Sequence, residues 1–248
     1  MPPFGADWAF FLDVDGTLLE IAEHPRAVRM PAGLVETLRA VVEDAGAPLA
    51  LVSGRAILDL DRLFAPLRLP AAGQHGAERR DAAGALHCTL PQGDGLAAVH
   101  EDMEAFVSRH PGLILENKGA ALCVHYRRAP ALAALVEGCM RQAAAALGDA
   151  YAVQPGKMVF ELRPAAADKG RAIAAFLEEP PFRGRRPVFV GDDATDEHGF
   201  ELVNARGGHA VKVGAGETCA RWRLADAASV VRWLEEYVAY AGGGNGQS

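Results

Sequence analysis

The fold is decided by one stretch near the start of the chain, WAFFLDVDGT, residues Trp8–Thr17. Its continuous apolar run, Trp8–Leu12, predicts a strand that is buried on both faces. The run stops at Asp13, and a second carboxylate follows at Asp15, so that both point the same way as the chain leaves the strand. Gly16 permits a sharp turn at this point. The stretch therefore predicts a buried strand with an acidic pair at its carboxyl end.

Short apolar strands with intervening helices recur in both outer thirds of the chain. Further strands are predicted at Pro48–Val52, Leu69–Ala72, Pro187–Val190 and Ala210–Val213. Helices are predicted from Pro31 to Gly46, up to Leu63, over Asp168–Glu178, between the last two strands, and from Asp226 onward. Strands that alternate with helices indicate an α/β fold with a doubly wound, mostly parallel, Rossmann-like sheet. The Gly-rich tail Gly242–Ser248 is expected to be disordered.

The middle of the chain follows a different order, which is helix, strand, strand, helix, strand, strand. The helices are predicted at Leu96–Val107 and Ala131–Leu147, and the strands at Leu113–Glu116, Ala120–Arg127, Tyr151–Val153 and Lys157–Arg163. This order indicates an antiparallel sheet with helices on one face, inserted into the core as an α+β cap (lid) domain. We expect the cap at residues 92–165 and the core at residues 1–91 and 166–248.

Composition narrows the class of protein. The chain has 248 residues, half of them hydrophobic, and a formal net charge of −7 with dispersed basic residues. Without a basic stripe or a run of about 20 apolar residues, we expect neither nucleic acid nor a membrane as a partner, and no obligatory protein partner. The four cysteines have no CxxC spacing and are expected to be reduced thiols. These features predict a cytoplasmic protein.

Four polar segments of the predicted core each follow a strand or begin a helix. They are Asp13-Val14-Asp15-Gly16-Thr17, Ser53-Gly54-Arg55, Lys169-Gly170 and Gly191-Asp192-Asp193-Ala194-Thr195-Asp196. In a doubly wound sheet the carboxyl ends of the strands line one crevice, so these segments can converge there.

Each segment alone also has an ordinary structural interpretation. A pair such as Asp13 and Asp15 commonly forms an Asx turn, Ser53-Gly54-Arg55 forms a turn, and the later aspartates can cap a helix that begins near Thr195. Turns and helix caps do not explain the four segments together, because five carboxylates at one sheet edge repel each other unless a cation neutralises them. An acidic site with only oxygen ligands favours Mg²⁺.

In this order the four segments resemble the haloacid dehalogenase-like (HAD) phosphatase superfamily. The resemblance implies that Asp13 attacks phosphorus and becomes an aspartyl-phosphate. It also implies that Asp15 protonates the leaving alcohol and then activates water, while Ser53 and Lys169 hold the phosphoryl oxygens. Mg²⁺ would bind the carboxylates of Asp13 and Asp192 and the backbone carbonyl of Asp15.

Five further residues have binding or supporting roles under the same resemblance. Gly54 and Arg55 belong to the phosphate-binding turn, although Arg55 can instead stabilise that turn through an ion pair. Asp193 and Asp196 hold metal-bound waters or orient the lysine, and Thr17 supports the site.

The predicted cap strand Lys157–Arg163 has a period-two pattern. One face carries apolar residues that we expect to pack on the cap helices: Met158, Phe160 and Leu162. The other face carries charged residues: Lys157, Glu161 and Arg163. A solvated sheet face would explain this alternation by itself. A binding face is favoured by the mixed charges on neighbouring strands, because such groups suit sugar hydroxyls: Glu116, Lys118, His125 and Arg127.

Five motifs of the core and the cap together resemble the family of trehalose-6-phosphate phosphatases, and those of the cap discriminate it from other families with the same core. The motifs are Gly73-Gln74-His75-Gly76-Ala77-Glu78, Glu116-Asn117-Lys118-Gly119, His125-Tyr126-Arg127, Lys157 through Glu161 to Arg163, and Gly191 through Glu197. The resemblance implies a Mg²⁺-dependent phosphatase that converts trehalose 6-phosphate to trehalose and phosphate. It implies that the following residues contact the disaccharide: Glu116, Lys118, Arg127, Lys157 and Glu161.

Two other functions remain open at this point. A related phosphatase acting on sucrose 6-phosphate or a hexose phosphate would use the same core, and only the cap residues argue against it. A non-catalytic sugar-phosphate sensor would have lost part of the site, whereas Asp13, Asp15, Lys169 and Asp192 are all present.

Overall fold

The computed structural model describes residues 1–21, 28–88 and 95–244, and it divides into two compact units. The first consists of Met1–His87 and Asp168–Ser248, and the second of Cys88–Ala167. The expected boundaries, 1–91, 92–165 and 166–248, differ from this division by a few residues. None of the described helices is both long and apolar enough to cross a membrane.

The first unit is built on an eight-stranded sheet with the order β12-β11-β10-β1-β2-β3-β4-β5. The strands of both units are β1 Trp8–Leu12, β2 Leu49–Val52, β3 Ala71–Gly73, β4 Glu78–Arg80, β5 Leu86–Cys88, β6 Ile114–Asn117, β7 Leu122–His125, β8 Tyr151–Gly156, β9 Val159–Pro164, β10 Arg186–Gly191, β11 His209–Val213 and β12 Trp222–Leu224. Neighbours from β12 to β3 are parallel, and β4 is antiparallel to β3. The predicted mostly parallel α/β core is therefore confirmed.

Helices cover both faces of this sheet. The helices of both units are α1 Leu34–Glu43, α2 Ile57–Leu63, α3 Gly95–Ser108, α4 Ala133–Leu147, α5 Lys169–Leu177, α6 Glu197–Ala205 and α7 Ala227–Gly244. Strand β1 shows how the layers are arranged, because its side chains point alternately into two hydrophobic cores, one on each face of the sheet. Trp8, Phe10 and Leu12 pack with α1, α2 and α7, whereas Ala9 and Phe11 pack with α5 and α6. The central strand is buried on both faces, as its unbroken apolar run predicts.

The second unit has a four-stranded antiparallel sheet with the order β6-β7-β9-β8. Helices α3 and α4 pack on one face, where their apolar side chains meet Leu122, Val124, Phe160 and Leu162. The other face carries the polar side chains. The predicted α+β organisation of this region agrees with the structure.

Two predictions of local structure were wrong, and three short strands were not predicted. Lys157 and Met158 form the turn between β8 and β9, where Met158 has a φ of 65°, so the predicted strand begins two residues later. Helix α7 continues through Gly244 into the tail predicted to be disordered, and residues 245–248 lie outside the described part. The short strands β4, β5 and β12 were missed, because three residues are too few for a periodic pattern.

Candidate active site

The loop after β1 places Asp13 and Asp15 at the carboxyl edge of the sheet. The Asp13 N–H donates to the carbonyl of Val190 at 3.0 Å, which joins this edge to the end of β10. After Asp13 the chain turns tightly, because the backbone carbonyl of Val14 accepts the N–H groups of Leu18 and Leu19, each at 2.9 Å. Gly16 has a φ of 85°, and a Cβ at this position would overlap with the carboxylate of Asp192. The loop therefore requires glycine where it approaches the other acidic segment.

Lys169 joins two of the core segments through buried ion pairs. Its Nζ lies 2.8 Å from Oδ1 of Asp13 and 2.6 Å from Oδ1 of Asp196, and all three side chains are buried. Burial alone would lower the pKa of Lys169, but the carboxylates of Asp13 and Asp196 outweigh burial and raise this pKa. Burial raises the pKa of Asp13, the Lys169 ammonium opposes that rise, and the carboxylates of Asp196 and Asp192 add to it. The lysine is thus a permanent cation beside the expected nucleophile.

Asp196 uses both of its oxygens within the protein. While Oδ1 accepts from Lys169, Oδ2 accepts the backbone N–H groups of Asp192 and Asp193, each at 2.9 Å. Asp193 is exposed, and its side chain caps the short 3₁₀ turn Ala194–Asp196. Of the two roles considered for Asp196, these contacts favour orientation of the lysine. For Asp193 they favour the capping interpretation.

The acidic cluster fits a divalent cation. Asp13, Asp192 and Asp196 offer one oxygen each within 4.8 Å of one another, and only Lys169 among their described ion-pair partners offsets their charge. Oδ1 of Asp192 is buried without a hydrogen-bond partner among the described residues. Burial, followed by the charge of Asp196, raises the pKa of Asp192 to about 6. A carboxylate that is costly to ionise and has an unused oxygen suits a Mg²⁺ ligand. Since Asp196 is already engaged, Asp13 and Asp192 are the better ligands.

The serine segment lies next to Asp15. Arg55 donates to both oxygens of Asp15, with Nε and Nη2 each 2.6 Å away, and its N–H donates to Oγ of Ser53 at 3.2 Å. Ser53 is buried at the end of β2, which is the neighbour of β1 in the sheet. The ion pair expected as one role of Arg55 is therefore present. Thr17 is fully buried close to this edge, and its Oγ1 has no hydrogen-bond partner among the described residues.

One buried cation of the site was missed by sequence reasoning. Lys212 on β11 is 4% exposed, and its Nζ donates to the backbone carbonyl of Asp192. Its position in the run HAVKV was a usable signal, because a lysine inside an otherwise buried parallel strand needs a specific partner. Lys212 holds the backbone of the segment that carries the proposed metal ligand.

The polar face of the second unit contains an ion pair and a hydrogen bond between a histidine and a carboxylate. Nζ of Lys118 lies 3.0 Å from Oε1 of Glu161, and Nε2 of His125 lies 2.8 Å from Oε2 of Glu116. Cys123 is paired in register with both Glu116 and Glu161, so it lies between the two carboxylates. Burial and the charge of Glu161 raise the pKa of the Cys123 thiol, which stays protonated.

The structure does not bring every predicted sugar-binding residue of the cap next to Glu116, Lys118 and Glu161. Arg127 lies in a turn beyond the end of β7, and Lys157 lies in the β8–β9 turn; both are exposed. Glu116, Lys118 and Glu161 are grouped, whereas contacts of Arg127 and Lys157 with them are not among the described interactions.

Comparison with known proteins matches residues 11–228 to the model of one family, described as trehalose-phosphatase. The chain belongs to the trehalose-phosphatase family. A curated relative, the trehalose-6-phosphate phosphatase of Escherichia coli K12, is 45% identical over 240 residues, which are 94% of this chain and 88% of the relative.

Solved structures agree with this membership. The crystal structure of a trehalose-6-phosphate phosphatase related protein matches with a TM-score of 0.76 and 29% identity, over 94% of this chain and 97% of the other. A haloacid dehalogenase-like hydrolase from Bacteroides thetaiotaomicron matches with a TM-score of 0.69 at 15% identity, over 92% and 98% of the two chains. The second likeness concerns the fold alone, and it supports the HAD-like architecture.

Proposed function

We propose that this member of the trehalose-phosphatase family hydrolyses trehalose 6-phosphate to trehalose and phosphate, with Mg²⁺ and an aspartyl-phosphate on Asp13. The observation that carries the mechanism is the buried pair of Asp13 with Lys169, whose Oδ1 and Nζ lie 2.8 Å apart. The substrate is inferred from relatives such as the E. coli enzyme. When bound to Asp13, Asp192 and the carbonyl of Asp15, Mg²⁺ would balance the negative charge of the cluster and of the phosphate.

The protein's own groups account for both halves of the reaction. A carboxylate oxygen of Asp13 attacks phosphorus, and the bond between phosphorus and the sugar oxygen breaks. Asp15 gives a proton to the departing oxygen, and then removes a proton from the water that attacks the aspartyl-phosphate. This second attack breaks the bond to Asp13 and releases phosphate. Lys169 and Ser53 stabilise the charge on the transferring oxygens.

Asp15 needs a proton for the first half of this sequence, yet Arg55 binds both of its oxygens. The ionised carboxylate of Asp15 is the form that activates water in the second half. In the proposed first half, the substrate's phosphate attracts Arg55 and loosens its contact with Asp15. Arg55 therefore contributes to the phosphate-binding turn together with Ser53 and Gly54.

We propose that the polar face of the second unit binds the sugar. Lys118 and Glu161 form a preorganised donor and acceptor pair, and Glu116 adds an acceptor beside His125. Vicinal hydroxyls donate and accept hydrogen bonds, so such pairs recognise them well. Arg127 and Lys157 are proposed as further contacts from their exposed turns, where long side chains can reach a ligand.

The deciding experiment is a phosphate-release assay on a panel of phosphorylated sugars in Mg²⁺ buffer. Trehalose 6-phosphate should be hydrolysed with the highest kcat/KM, ahead of sucrose 6-phosphate and glucose 6-phosphate. Preference for another sugar would reassign the substrate, and binding without phosphate release would indicate a sensor.

Asp13→Asn should lower turnover by several orders of magnitude while the protein stays folded, because the amide keeps the shape and removes the attacking charge. Near-normal activity of that variant would reject the covalent mechanism.

We also propose a cytoplasmic location. All four cysteines are free, and Cys88 and Cys219 are exposed, which suits a reducing compartment. Fractionation of the producing cells would test it, and recovery of the protein in an oxidising compartment would contradict it.

A further inference from the structure

The segment Gly73–Glu78, which follows β3, has an unusual backbone and no role in the mechanism above. Gln74 and His75 have φ values of 49° and 57°. Two successive residues with a Cβ rarely adopt this left-handed conformation, because the Cβ comes too close to the following carbonyl oxygen. Such a conformation persists only where the surrounding contacts impose it, and it is commonest near functional sites.

The contacts that impose it come from the proposed phosphate-binding turn. The Gln74 N–H donates to the carbonyl of Arg55 at 2.8 Å, and the His75 N–H donates to the carbonyl of Ser53 at 2.9 Å. The imidazole of His75 lies against Gly54, where a Cβ would be 2.6 Å from its Nε2. The turn is therefore held by two backbone hydrogen bonds and by a ring placed on its central glycine.

The other end of the segment meets the helix that begins with Lys169. Gly76 has a φ of 99°, and a Cβ there would lie 2.7 Å from the carbonyl oxygen of Asp168. Asp168 is the N-cap of α5, and its Oδ1 accepts the N–H of Arg171 at 2.8 Å. The three residues Gln74–Gly76 thus connect the turn that carries Ser53 with the start of the helix that carries Lys169.

We propose that His75 is a positioning residue, whose imidazole fixes the Gly54 peptide so that the turn binds the phosphoryl group at a set distance from Lys169. This inference rests on the proposed phosphatase function. The left-handed backbone is needed because it directs the His75 ring onto Gly54 while its N–H still reaches Ser53.

The test separates the effect of losing the imidazole from the effect of changing the backbone conformation. His75→Gly keeps the left-handed conformation without strain and removes only the ring. We expect its melting temperature to be unchanged or higher. We expect kcat/KM to fall at least 10-fold, equally on trehalose 6-phosphate and on p-nitrophenyl phosphate, because both present the same phosphoryl group. The affinity for inorganic phosphate in Mg²⁺ buffer, measured by calorimetry, should fall by a similar factor.

Two other variants complete the experiment. Asparagine tolerates the left-handed region and keeps a polar planar group, so His75→Asn should recover part of the loss. Met158→Gly is the matched control, since it also replaces a residue of positive φ, in the β8–β9 turn; its hydrolysis of p-nitrophenyl phosphate should stay within about twofold of wild type.

Wild-type kinetics and wild-type phosphate affinity in His75→Gly would overturn the inference. If that variant melts at a lower temperature, His75→Asn decides, and an equal loss of activity and stability in both would make the role structural and reject the proposal. A wild-type protein that binds phosphate but hydrolyses no substrate would reject the proposed function instead. The phosphate affinities of the variants would then still test His75.

Discussion

Asp196→Asn is the substitution that best tests the architecture of the acidic cluster. The Asp196 side chain is fully buried, with one oxygen on the Lys169 ammonium and the other on two backbone N–H groups. An amide must direct its NH₂ either at the ammonium or at the two N–H donors, so each orientation places donors against donors. Removing one partner of a buried ion pair costs about 3–5 kcal/mol. We expect a loss of that size in the free energy of unfolding, and a large loss of activity because Lys169 loses its anchor.

The assay is urea unfolding of the chelated protein, repeated with saturating Mg²⁺. Asp193→Asn is the matched control, because Asp193 is exposed and asparagine caps a turn about as well as aspartate. Its free energy of unfolding should change by less than about 0.5 kcal/mol.

The same experiment separates the two possible roles of Asp196. If Asp196 orients Lys169, the loss is present without metal, and Mg²⁺ at 100 times its Kd still adds about 2.7 kcal/mol to the variant. If Asp196 is a metal ligand, the chelated variant is nearly as stable as wild type and Mg²⁺ no longer stabilises it. The second result would refute the assignment made from the hydrogen bonds.

Three further predictions concern the metal, the sugar and pH. Chelation should abolish phosphate release, Mg²⁺ should restore it, and Ca²⁺ should inhibit because its looser oxygen shell misaligns Asp13; full activity in excess chelator would contradict the site. Glu161→Ala should lower kcat/KM for trehalose 6-phosphate by about 10- to 150-fold and hardly affect p-nitrophenyl phosphate, since one charged hydrogen bond costs roughly 1.5–3 kcal/mol; equal losses would make Glu161 structural. Burial, and then the charge of Arg186, lower the pKa of His209, so the native state binds this proton less readily than the unfolded state. The free energy of unfolding should therefore fall as pH drops through about 6.5, and urea titrations should show a smaller fall in His209→Gln.

The core could be predicted from sequence because its signals are local. Strand β1 is an unbroken apolar run, and its predicted bounds agree with the structure. The four polar segments follow from the rule that parallel strands end at one edge, and Asp13, Lys169 and Asp196 do meet there. The residue pattern left two roles open for Asp196, and only the positions of the backbone N–H groups favour one of them.

The parts that sequence reasoning missed depend on contacts distant in the chain. In the sequence Lys212 is a charged residue inside an apolar strand, and only the structure shows that the Asp192 carbonyl is its partner. The left-handed backbone at His75 could not be read from residues that ordinarily avoid that region. Lys157 was placed on a strand because alternation continues through it, whereas the hairpin turn occupies that position.

The division of the first unit into two chain segments also sets the order of assembly. Trp8 pairs with Arg186, and Asp13 meets Lys169 only after the whole second unit has been synthesised. The second unit is contiguous, so its sheet and helices can form on the ribosome while β1 still lacks its neighbour β10. Until then β1 has β2 as a neighbour but lacks β10, and Asp13 lacks Lys169; pairing over so long a separation is slow. During its synthesis, the protein is therefore most exposed to aggregation in the interval before β10 emerges.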